Sequence, residues 1–472
     1  MSRLVNVSNR VAVPGGQDSS GGLAVGLLAA MRHGGGLWFG WNGHMHASDA
    51  EQPHPELQQR NGVTFATISL PEAMHDQYYN GFSNGALWPL LHSFLDRFQF
   101  RDEQYYAYLS ANALFARKLV PLLKPDDVIW VHDYHLMPLA VQLRKLGVRS
   151  PIGFFLHVPF PHFEVLRALP VHAELFQALL SYDLIGLQTE VDRQAFLGAA
   201  RAIRGENGAS LRSERGLVAT GVFPISVDLQ NIEHTATSSV TSGRVRNMIQ
   251  GLHGRRLIMG VDRLDYSKGL LERFGAYRQF LESSPEHRGK VTFLQIAPLG
   301  RQNVKAYAGI RDALEQSAGR TNGRFAEVDW TPIRYLNRSF SHATLMGFLR
   351  QAAVCLVTPL RDGMNLVAKE FIAAQDPSNP GVLVLSDRAG AAAELSDALL
   401  VNPYDTRGIA RALRRALDMP LTERIARHAN LLETVRCYDI HAWCSQFLEA
   451  LRRSRARRDE KAVHEYAPSL SA

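Results

Sequence analysis

Short apolar runs alternate with stretches of helical periodicity along most of this chain. The strand candidates are residues 4–9, 128–133, 152–158, 184–189, 257–262, 291–297, 354–359 and 382–386. Each run is apolar on both faces and bounded by Pro, Gly, Asp or Ser, as is typical of strands buried in a parallel sheet. The helix candidates are residues 108–123, 193–204, 269–284, 302–317 and 365–375. This alternation predicts right-handed βαβ units and an α/β fold of doubly wound parallel sheets.

A polar stretch divides the strand candidates into two sets. Residues 231–251 are interpreted as a linker followed by the start of a helix. We therefore predict two Rossmann-like domains, residues 1–228 and 250–440, that face each other across a cleft. A helix near residues 440–456 is expected to pack back on the first domain, and residues 457–472 are expected to form a frayed basic tail. Ligands of such sheets bind beyond the carboxyl ends of the strands, so the residues just past each strand are the site candidates.

Composition excludes several other classes of protein. Hydrophobic residues make up 46% of the chain and charged residues 21%, which is an ordinary globular mixture. The three cysteines form no CxxC pair, which argues against a disulfide scaffold or a cysteine zinc site. No run of about 18 apolar residues occurs and the N-terminus lacks the apolar core of a signal peptide, so we expect a cytoplasmic protein without a membrane partner. The net charge is +7, of which the last segment, residues 452–472, contributes +3 with six basic and three acidic residues. The remaining +4 is too weak to indicate a nucleic-acid binder but is compatible with small anionic substrates.

The segment SSGGLAVGLLAAM, residues 19–31, follows the first strand candidate and opens a helix. Gly21 and Gly22 allow backbone amides to approach an anion, and the helix N-terminus adds a favourable dipole. A glycine turn without a ligand is the alternative. The segment does not match GxGxxG, so the dinucleotide-cofactor fingerprint is missing. The sequence also lacks the GxxxxGK[ST] loop of P-loop nucleotidases and the GxSxG elbow of serine hydrolases.

Two further candidates follow strands of the first set. The sequence HDYH begins directly after VIWV and contains His132, Asp133 and His135. A metal site would need another ligand at a suitable spacing, so we favour Asp133 as an acceptor of hydrogen bonds from substrate hydroxyls. His157 ends the run FFLHV and is followed by PFP, which stiffens the loop. His157 is either a buried histidine with satisfied hydrogen bonds or a site residue.

A strand of the second set is followed by two cations. VDRLDYSKG, residues 261–269, places Arg263 and Lys268 in a loop between a strand and a helix. Two cations at that position suit a diphosphate, and a solvated loop is the alternative. The sequence shows no convincing pair of aspartates to hold a divalent metal against a nucleotide diphosphate. Cationic side chains and helix dipoles would then have to stabilise such a leaving group.

Another strand of the second set leads into TPLRDGMNLVAKEF, residues 358–371. Asp362 and Gly363 are predicted to form a turn, and a helix is predicted to begin at Asn365. The N-terminus of that helix can hold phosphate or sugar oxygens. Glu370 lies within the helix, where its carboxylate can bind a vicinal diol such as that of a ribose. A plain turn with a helix cap is the alternative.

Longer motifs are spread from residue 4 to about residue 405. They are LVNVSNR, GGLAVG, GGLWFGW, YYNGFSNGALWP, WVHDYHLMPLA, GFFLHVPFP, DRLDYSKG, LQIAP, PLRDGMNLVAKEF and DPSNPGVLVLS. With these motifs the chain resembles the bacterial trehalose-6-phosphate synthases, a family of retaining, metal-independent glycosyltransferases with the two-Rossmann-domain (GT-B) architecture.

The resemblance implies a reaction and its partners. Glucose would move from a nucleotide-glucose, typically UDP-glucose, to glucose 6-phosphate and give α,α-trehalose 6-phosphate. Attack on the front face of the donor, without a covalent intermediate, would retain the anomeric configuration. The resemblance implies no cofactor, no metal ion and no nucleic-acid partner. It does imply a homo-oligomer, either a dimer or a tetramer. The choice among UDP-, ADP- and GDP-glucose stays open.

The resemblance also implies roles for individual residues. The residues implied for acceptor binding are Arg10, Trp41, Tyr79, Trp88, Asp133 and Arg301. Those implied for donor binding are Gly22, Leu23, His157, Arg263, Lys268, Phe340, Asp362, Gly363, Met364, Asn365, Leu366, Val367, Ala368, Lys369 and Glu370. Those implied for catalysis are Asp133, His157, Arg263 and Lys268, and those implied for selection of the anomer are Trp88 and Val158. Arg10 and Arg301 would hold the acceptor phosphate, Asp362 the glucose and Glu370 the ribose.

Two alternatives stay open. A related transferase of the same fold would use another acceptor, as in glucosylglycerol-phosphate synthesis or a pseudo-glycosyl transfer. A sugar-phosphate sensor would keep the fold without catalysis. Four residues favour glucose 6-phosphate as the acceptor: Arg10, Tyr79, Asp133 and Arg301. Four donor residues argue against the sensor: Arg263, Lys268, Asp362 and Glu370.

Overall fold

The computed structural model of the chain describes residues 2–11, 13, 27–28, 31, 35–47, 54–205, 211–213, 216–298, 300 and 305–465. The chain divides into two compact units. Unit 1 comprises Met1–Pro224 and His441–Ala472, and unit 2 comprises Ile225–Ile440. Each unit has its own sheet and its own hydrophobic core.

The sheet of unit 1 is largely parallel. Its described strands are β1 (Leu4–Arg10), β2 (Gly36–His46), β3 (Glu56–Arg60), β4 (Val63–Pro71), β5 (Val128–His132), β6 (Ile152–Phe155), β7 (Leu184–Leu187), β8 (Leu211–Ser213) and β9 (Gly216–Val222). They are ordered β3-β4-β2-β1-β5-β6-β7-β9-β8, and only the edge pairs β3/β4 and β8/β9 are antiparallel. The inner strands β5, β6 and β7 are wholly buried, as expected where helices cover both faces of a sheet.

Helices connect the strands of unit 1. The described ones are α1 (Glu72–His75), α2 (Trp88–Leu91), α3 (Asp102–Leu119), α4 (Leu139–Lys145), α5 (Phe163–Leu166), α6 (His172–Leu179) and α7 (Glu190–Arg204). A π-helix, Asp76–Leu87, joins α1 to α2. The bounds of α7 follow from its caps: the Thr189 side chain accepts a hydrogen bond from Asp192 N, and Gly205 ends the helix with a φ of 68°.

The sheet of unit 2 is parallel throughout its described strands. They are β10 (Arg256–Val261), β11 (Val291–Ile296), β12 (Ile333–Leu336), β13 (Ala352–Val357), β14 (Val382–Ser386) and β15 (Leu399–Val401), in the order β12-β11-β10-β13-β14-β15. The helices of this unit are α8 (Leu229–Ser239), α9 (Gly243–Gly251), α10 (Leu270–Ser283), α11 (Lys305–Phe325), α12 (His342–Gln351), α13 (Leu366–Ala374), α14 (Thr406–Asp418) and α15 (Leu421–Cys437). The order of strands in both units is that of doubly wound sheets.

The C-terminal helix α16 (Ile440–Glu465) belongs mostly to unit 1. The ring of Phe447 stacks on that of Trp130, with 4.3 Å between the ring centres. The ring centre of Trp443 lies 4.6 Å from that of Trp130. Two glycines of the sheet make room for Phe447, because a Cβ atom at Gly153 or Gly186 would lie 2.7 Å from its ring. The last helix of the chain thus completes the core of the first unit. None of the described helices is long and apolar enough to span a membrane.

All eight strand runs predicted from the sequence occur as strands, and the predicted class of two parallel-sheet α/β domains is confirmed. The interpretation of residues 231–251 as a linker is wrong, because they lie in α8 and α9. Side chains of Asp228 and Ser242 cap these helices by accepting from backbone amides. Ile232 and Val245 are buried, so the polar appearance of the stretch describes only its outer face.

Candidate active site

Asp133 lies directly after β5, in a backbone conformation that residues other than glycine rarely adopt. Its φ is 76° and its ψ 166°, a region that strains any residue except glycine by about 1–3 kcal/mol. Two hydrogen bonds hold it there: Asp133 N donates to Phe155 O (2.8 Å), and His157 N donates to Asp133 Oδ1 (3.3 Å). These bonds tie the ends of β5 and β6 together and fix the direction of the Asp133 carboxylate. Strain maintained in this way points to a functional position.

Arg10 ends β1 at the same edge of the sheet and lies against β2. Its guanidinium carbon is 5.4 Å from the centre of the Trp41 ring, within the range of a cation–π interaction. Gly43 makes this approach possible, since a Cβ atom there would lie 2.5 Å from Arg10 Nη2. The φ of Gly43, +91°, also favours glycine. The sequence WFGWNG therefore places a cation over an aromatic ring at the edge of the sheet.

A row of aromatic rings continues from Trp41 across the π-helix to the turn after β5. The ring centres of Trp41 and His75 are 4.9 Å apart, those of His75 and Tyr79 5.1 Å, and those of Tyr79 and His135 5.6 Å. Burial lowers the pKa of His75, against the opposing effect of the neighbouring carboxylate. The rings of this row cover one another's faces, so they offer their edges beside Arg10. A sugar whose phosphate meets the guanidinium can lie against these edges.

Trp88 and Val158 are buried near the same two strand ends. Trp88 begins α2, and its ring centre lies 4.1 Å from that of His92 and 5.8 Å from that of Tyr134, which follows Asp133. Val158 directly follows His157 and is buried. The part of either residue in selecting the anomer stays a prediction.

His132 and His157 form a pair at the ends of β5 and β6. Nδ1 of His132 and Nε2 of His157 are 3.1 Å apart and share a hydrogen bond. Burial lowers the pKa of His157 to about 3, and burial together with His157 lowers the pKa of His132 well below its ordinary value. Both imidazoles are therefore neutral near pH 7. The structure does not pair His132 with His135, whose ring stacks on Tyr134 and Tyr79 instead.

In unit 2, Lys268, Asp362 and Asn365 form a cluster beyond the ends of β10 and β13. The Lys268 ammonium forms an ion pair with Asp362, and Asn365 Nδ2 donates to Asp362 Oδ2 (3.0 Å). Asn365 precedes α13 with a φ of 70°. Gly390 approaches the turn so closely that a Cβ atom there would lie 1.8 Å from Gly363 O. Close backbone packing thus supports the turn, and α13 begins there with its N-terminus, the end of a helix that favours anions.

The buried arginine Arg273 of α10 supports this edge from below. It is 0% exposed, and its guanidinium donates to Asp262 Oδ2 (2.6 Å), Gln295 Oε1 (2.9 Å) and Thr358 Oγ1 (2.9 Å). Its Nη2 also donates to the carbonyl of Lys268 (3.3 Å). Burial raises the pKa of Asp262, although Arg273 counteracts the shift. These bonds join the ends of three neighbouring strands to the loop that carries Lys268.

Arg263 and Phe340 lie in two other loops of unit 2. Arg263 directly follows Asp262 after β10, and the next residue, Leu264, donates its N–H to Pro298 O (3.0 Å) beyond β11. The guanidinium carbon of Arg338 lies 4.8 Å from the ring centre of Phe340. Arg338 and Phe340 form part of the wall of a cavity of about 800 Å³. An aromatic ring with a flat cation beside such a cavity can take a nucleobase.

The two charged residues at the end of the predicted donor segment have different surroundings. Lys369 is 1% exposed; its Nζ donates to Ile225 O (3.0 Å) and lies 2.7 Å from Glu394 Oε2. Its ammonium is therefore engaged inside unit 2. Glu370 is partly exposed, and burial of its carboxyl group raises its pKa to about 7. Of the two, Glu370 has the side chain that a ligand can reach.

Some predicted site residues carry no polar side chain or are not described. Gly22, Leu23 and Arg301 lie outside the described residues. The apolar members of the predicted donor segment are Met364 and Ala368, which are buried, and Leu366 and Val367, which are partly exposed. Within the described ranges, no group of three or more His, Cys, Asp or Glu residues is placed to hold a metal ion.

Sequence reasoning missed three residues that shape these sites: Gly43, His75 and Arg273. The two glycines of FGWNG are a signal for Gly43, since a glycine inside a strand pattern suggests a bulge or a close approach of the backbone. His75 and Arg273 gave none, because each lies in a helical stretch whose partners come from distant strands.

The cation cluster of unit 2 and the cation, carboxylate and aromatic row of unit 1, each at the carboxyl edge of a Rossmann-like sheet, suit a nucleotide-sugar and a sugar phosphate. Such a pair of sites defines a glycosyltransferase. The chain belongs to glycosyltransferase family 20, whose family model matches residues 9–453.

Relatives of known structure and name extend over nearly the whole chain. A trehalose-6-phosphate synthase of Klebsiella pneumoniae is 51% identical over 98% of this chain and 98% of its own length. An alpha,alpha-trehalose-phosphate synthase of Burkholderia xenovorans, solved in complex with glucose-6-phosphate, has a TM-score of 0.92 and 49% identity over 96% of this chain and 100% of that one. An E. coli structure described as bound with UDP-2-fluoro glucose has a TM-score of 0.88 and 48% identity, over 95% and 99%.

Proposed function

We propose that this chain transfers glucose from UDP-glucose to glucose 6-phosphate and forms α,α-trehalose 6-phosphate with retention of the anomeric configuration. The observation that carries this proposal is the identity of about one half, over nearly the full length, to trehalose-6-phosphate synthases. The chemistry of the two candidate sites supports it independently, since one suits a sugar phosphate and the other a nucleotide diphosphate.

Unit 1 binds the acceptor in this proposal. Arg10, joined by Arg301, holds the phosphate of glucose 6-phosphate through charge-assisted hydrogen bonds. Trp41 and Tyr79 contact the sugar, and the strained Asp133 accepts hydrogen bonds from its hydroxyls. The support for these roles is the position of Arg10 over Trp41 and the fixed direction of the Asp133 carboxylate.

Unit 2 binds the nucleotide. Arg263 and Lys268 neutralise the diphosphate, and the N-terminus of α13 adds its dipole. Lys268 is paired with Asp362, so a diphosphate competes with that carboxylate for an ammonium that is already oriented. Asp362 is then available to the glucose hydroxyls and Glu370 to the ribose diol. Phe340 and Arg338 lie against the base.

The mechanism needs no protein nucleophile. As the bond from C1 of glucose to the diphosphate breaks, negative charge grows on the leaving oxygen, where Arg263 and Lys268 are already placed. The acceptor hydroxyl attacks the same face, and the leaving phosphate oxygen takes its proton. His157 contacts the transferred glucose. We propose that the reaction requires no metal ion, since two side-chain cations and a helix N-terminus supply the positive charge.

Purified protein incubated with glucose 6-phosphate and UDP-, ADP- or GDP-glucose in parallel, with and without EDTA, tests the proposal. We expect nucleotide release to depend on the acceptor, to be fastest with UDP-glucose and to be unchanged by EDTA. Mass spectrometry should detect one disaccharide phosphate. Release that requires another acceptor would refute the glucose 6-phosphate site, and binding of both substrates without product would support a sensor.

Two further points belong to the proposal, and the first of them follows from the family resemblance. The chain associates into a homo-oligomer, which light scattering during size-exclusion chromatography measures directly. It works in the cytoplasm, which cell fractionation tests.

A further inference from the structure

Two polar side chains are buried in the middle of the unit 1 sheet. Asn6 on β1 and His132 on β5 are each 0% exposed, and they lie among the apolar residues Val5, Val7 and Val131. Placing a polar group at such a depth costs about 1–3 kcal/mol unless hydrogen bonds compensate it. Polar groups at this depth therefore call for an explanation other than packing.

A chain of hydrogen bonds leads from these residues to the end of the sheet. Nε2 of His132 is 3.3 Å from Asn6 Oδ1, and Nδ1 of His132 is 3.1 Å from Nε2 of His157. Both ring nitrogens of His132 are thus engaged within unit 1. We call this chain of side chains, Asn6, His132 and His157, the imidazole relay.

Aromatic rings hold the imidazole relay in place. The His132 ring centre lies 4.7 Å from that of Trp130, and the His157 ring centre lies 4.6 Å from that of Phe155. Trp443 of α16 packs behind both imidazoles at 6.4 and 6.2 Å, and its own Nε1 donates to Phe223 O (3.1 Å). The two imidazoles therefore have little freedom to rotate.

The shared hydrogen bond couples the proton positions of the two rings. Both imidazoles are neutral near pH 7, because burial lowers the pKa of each, and a neutral imidazole carries one N–H donor and one acceptor nitrogen. If His132 donates to His157, the proton of His157 lies on Nδ1; if His132 accepts, it lies on Nε2. Asn6 selects between these states at the far end, since its amide offers either an oxygen or an N–H to His132.

We propose that His132 is a positioning residue for the glucosyl transfer: through the imidazole relay it holds His157 in one tautomer and one ring orientation, so that Nδ1 of His157 meets a hydroxyl of the donor glucose in a single hydrogen-bonding state. This inference rests on the proposed function, because it takes His157 to contact the transferred glucose. His132 itself touches no substrate in this role.

Substitution of His132 separates positioning from packing. His132→Phe keeps an aromatic ring beside Trp130 and removes both nitrogens, whereas His132→Asn offers an amide near the position of Nδ1. We expect His132→Phe to lower kcat roughly 10- to 100-fold, as is common when the outer partner of a functional histidine is lost, with KM for glucose 6-phosphate unchanged. His132→Asn should recover most of that loss.

A matched control comes from Tyr277, whose hydroxyl donates to Pro332 O (3.2 Å) in the core of unit 2. Tyr277→Phe also removes one buried hydrogen bond and should lower the melting temperature without changing kcat. If His132→Phe behaves in the same way, or if His132→Asn fails to recover kcat although it is as stable as His132→Phe, the positioning role is refuted.

Nitrogen NMR of histidine-labelled protein tests the tautomer without relying on a folded variant. We expect one ring nitrogen of His157 to show the shift of a protonated nitrogen and the other that of a lone pair, and we expect averaged shifts in His132→Phe. Averaged shifts in the wild type would overturn the proposal. A wild type that forms no product with any donor would instead refute the proposed function, so the two failures are distinguishable.

Discussion

Burial sets the protonation states of two ionisable side chains assigned to the donor. It lowers the pKa of His157 to about 3 and raises that of Glu370 to about 7. The two shifts have opposite directions because burial disfavours the charged form, which is the protonated imidazole in one case and the deprotonated carboxyl group in the other. His157 therefore stays neutral over the physiological range, whereas Glu370 changes charge within it.

Donor binding should depend on pH through Glu370. A carboxylate accepts two hydrogen bonds from a ribose diol, whereas the protonated group accepts less well. With a pKa near 7, the carboxylate fraction falls about tenfold between pH 8 and pH 6, so KM for the donor should rise by up to that factor as pH falls. Initial rates at several donor concentrations across this range measure the effect.

The matched variant for this dependence is Glu370→Gln. It cannot titrate, so its donor KM should stay at every pH near the high value of the protonated wild type and should show no inflection near pH 7. An inflection that persists in the variant would assign the titration to another group.

Arg263 should matter to turnover more than to acceptor binding. Arg263→Ala removes a charge placed for the leaving diphosphate, and loss of one such group costs roughly 10²–10³ in rate. We expect kcat to fall by that factor while KM for glucose 6-phosphate stays within about twofold. Steady-state kinetics with both substrates varied measure both values, and equal losses in both would contradict the role assigned here.

At the scale of elements, the extension of β2 beyond Trp41 brings Arg10 and the aromatic row together. Gly43 lies in this extension with a positive φ and faces the Arg10 guanidinium directly. The backbone conformation and the close contact both require glycine, so this element has little tolerance for substitution.

Gly43→Ala should weaken acceptor binding. The added Cβ atom would lie 2.5 Å from Arg10 Nη2 and displace the guanidinium, so KM for glucose 6-phosphate should rise about tenfold or more, the weight of one hydrogen bond to a charged group. Gly62→Ala is the control, since Gly62 has a φ of +77° but no atom within 4 Å of the added Cβ. Both variants should lose about 1 kcal/mol of stability, and an equal rise of KM in both would refute the contact.

The packing of α16 on unit 1 depends on small residues in the sheet. A Cβ atom at Gly186 would lie 2.7 Å from the rings of Phe155 and Phe447, so Gly186→Ala should lower the free energy of unfolding by about 1–3 kcal/mol. Phe447→Leu should relieve part of that loss in the double variant. Gly198→Ala in α7, where the added Cβ meets nothing within 4 Å, should not destabilise. Urea unfolding of the wild type, the two single variants Gly186→Ala and Phe447→Leu, and the double variant measures the coupling between the two positions. Additive losses of unfolding free energy would contradict the coupling.

Sequence pattern predicted the inner strands well and the edge elements poorly. β5 and β14 are buried along their whole length, and their sequences are apolar up to the last residue of each strand. β3 is exposed along its whole length and carries no such signal. The pattern of residues 231–251 predicts a linker and the start of a helix, because only one face of α8 and of α9 is apolar and their caps are ordinary Asp and Ser residues.

At the scale of the whole chain, the candidate site residues can be predicted where a polar or charged residue lies in the segment after a strand. Asp133 directly follows β5, and His157, Arg263, Lys268 and Asp362 lie in the segments that follow β6, β10 and β13. The rule that ligands bind at the carboxyl ends of strands selects them. The contacts of Asn6 with His132 and of Arg273 with Asp262 were not predictable, because they depend on which strands are neighbours and on how helices cover them.

The fate of the transferred glucose decides whether this chain transfers glucose to glucose 6-phosphate with retention of the anomeric configuration. UDP-glucose labelled with ¹³C at C1 of the glucose is incubated with glucose 6-phosphate, and the anomeric signals are followed by NMR. We expect the label to pass from the α-linked donor into an α,α-1,1 linkage, with one UDP released for each disaccharide phosphate formed. Label that appears in free glucose, in a β linkage, or only with a different acceptor would contradict it.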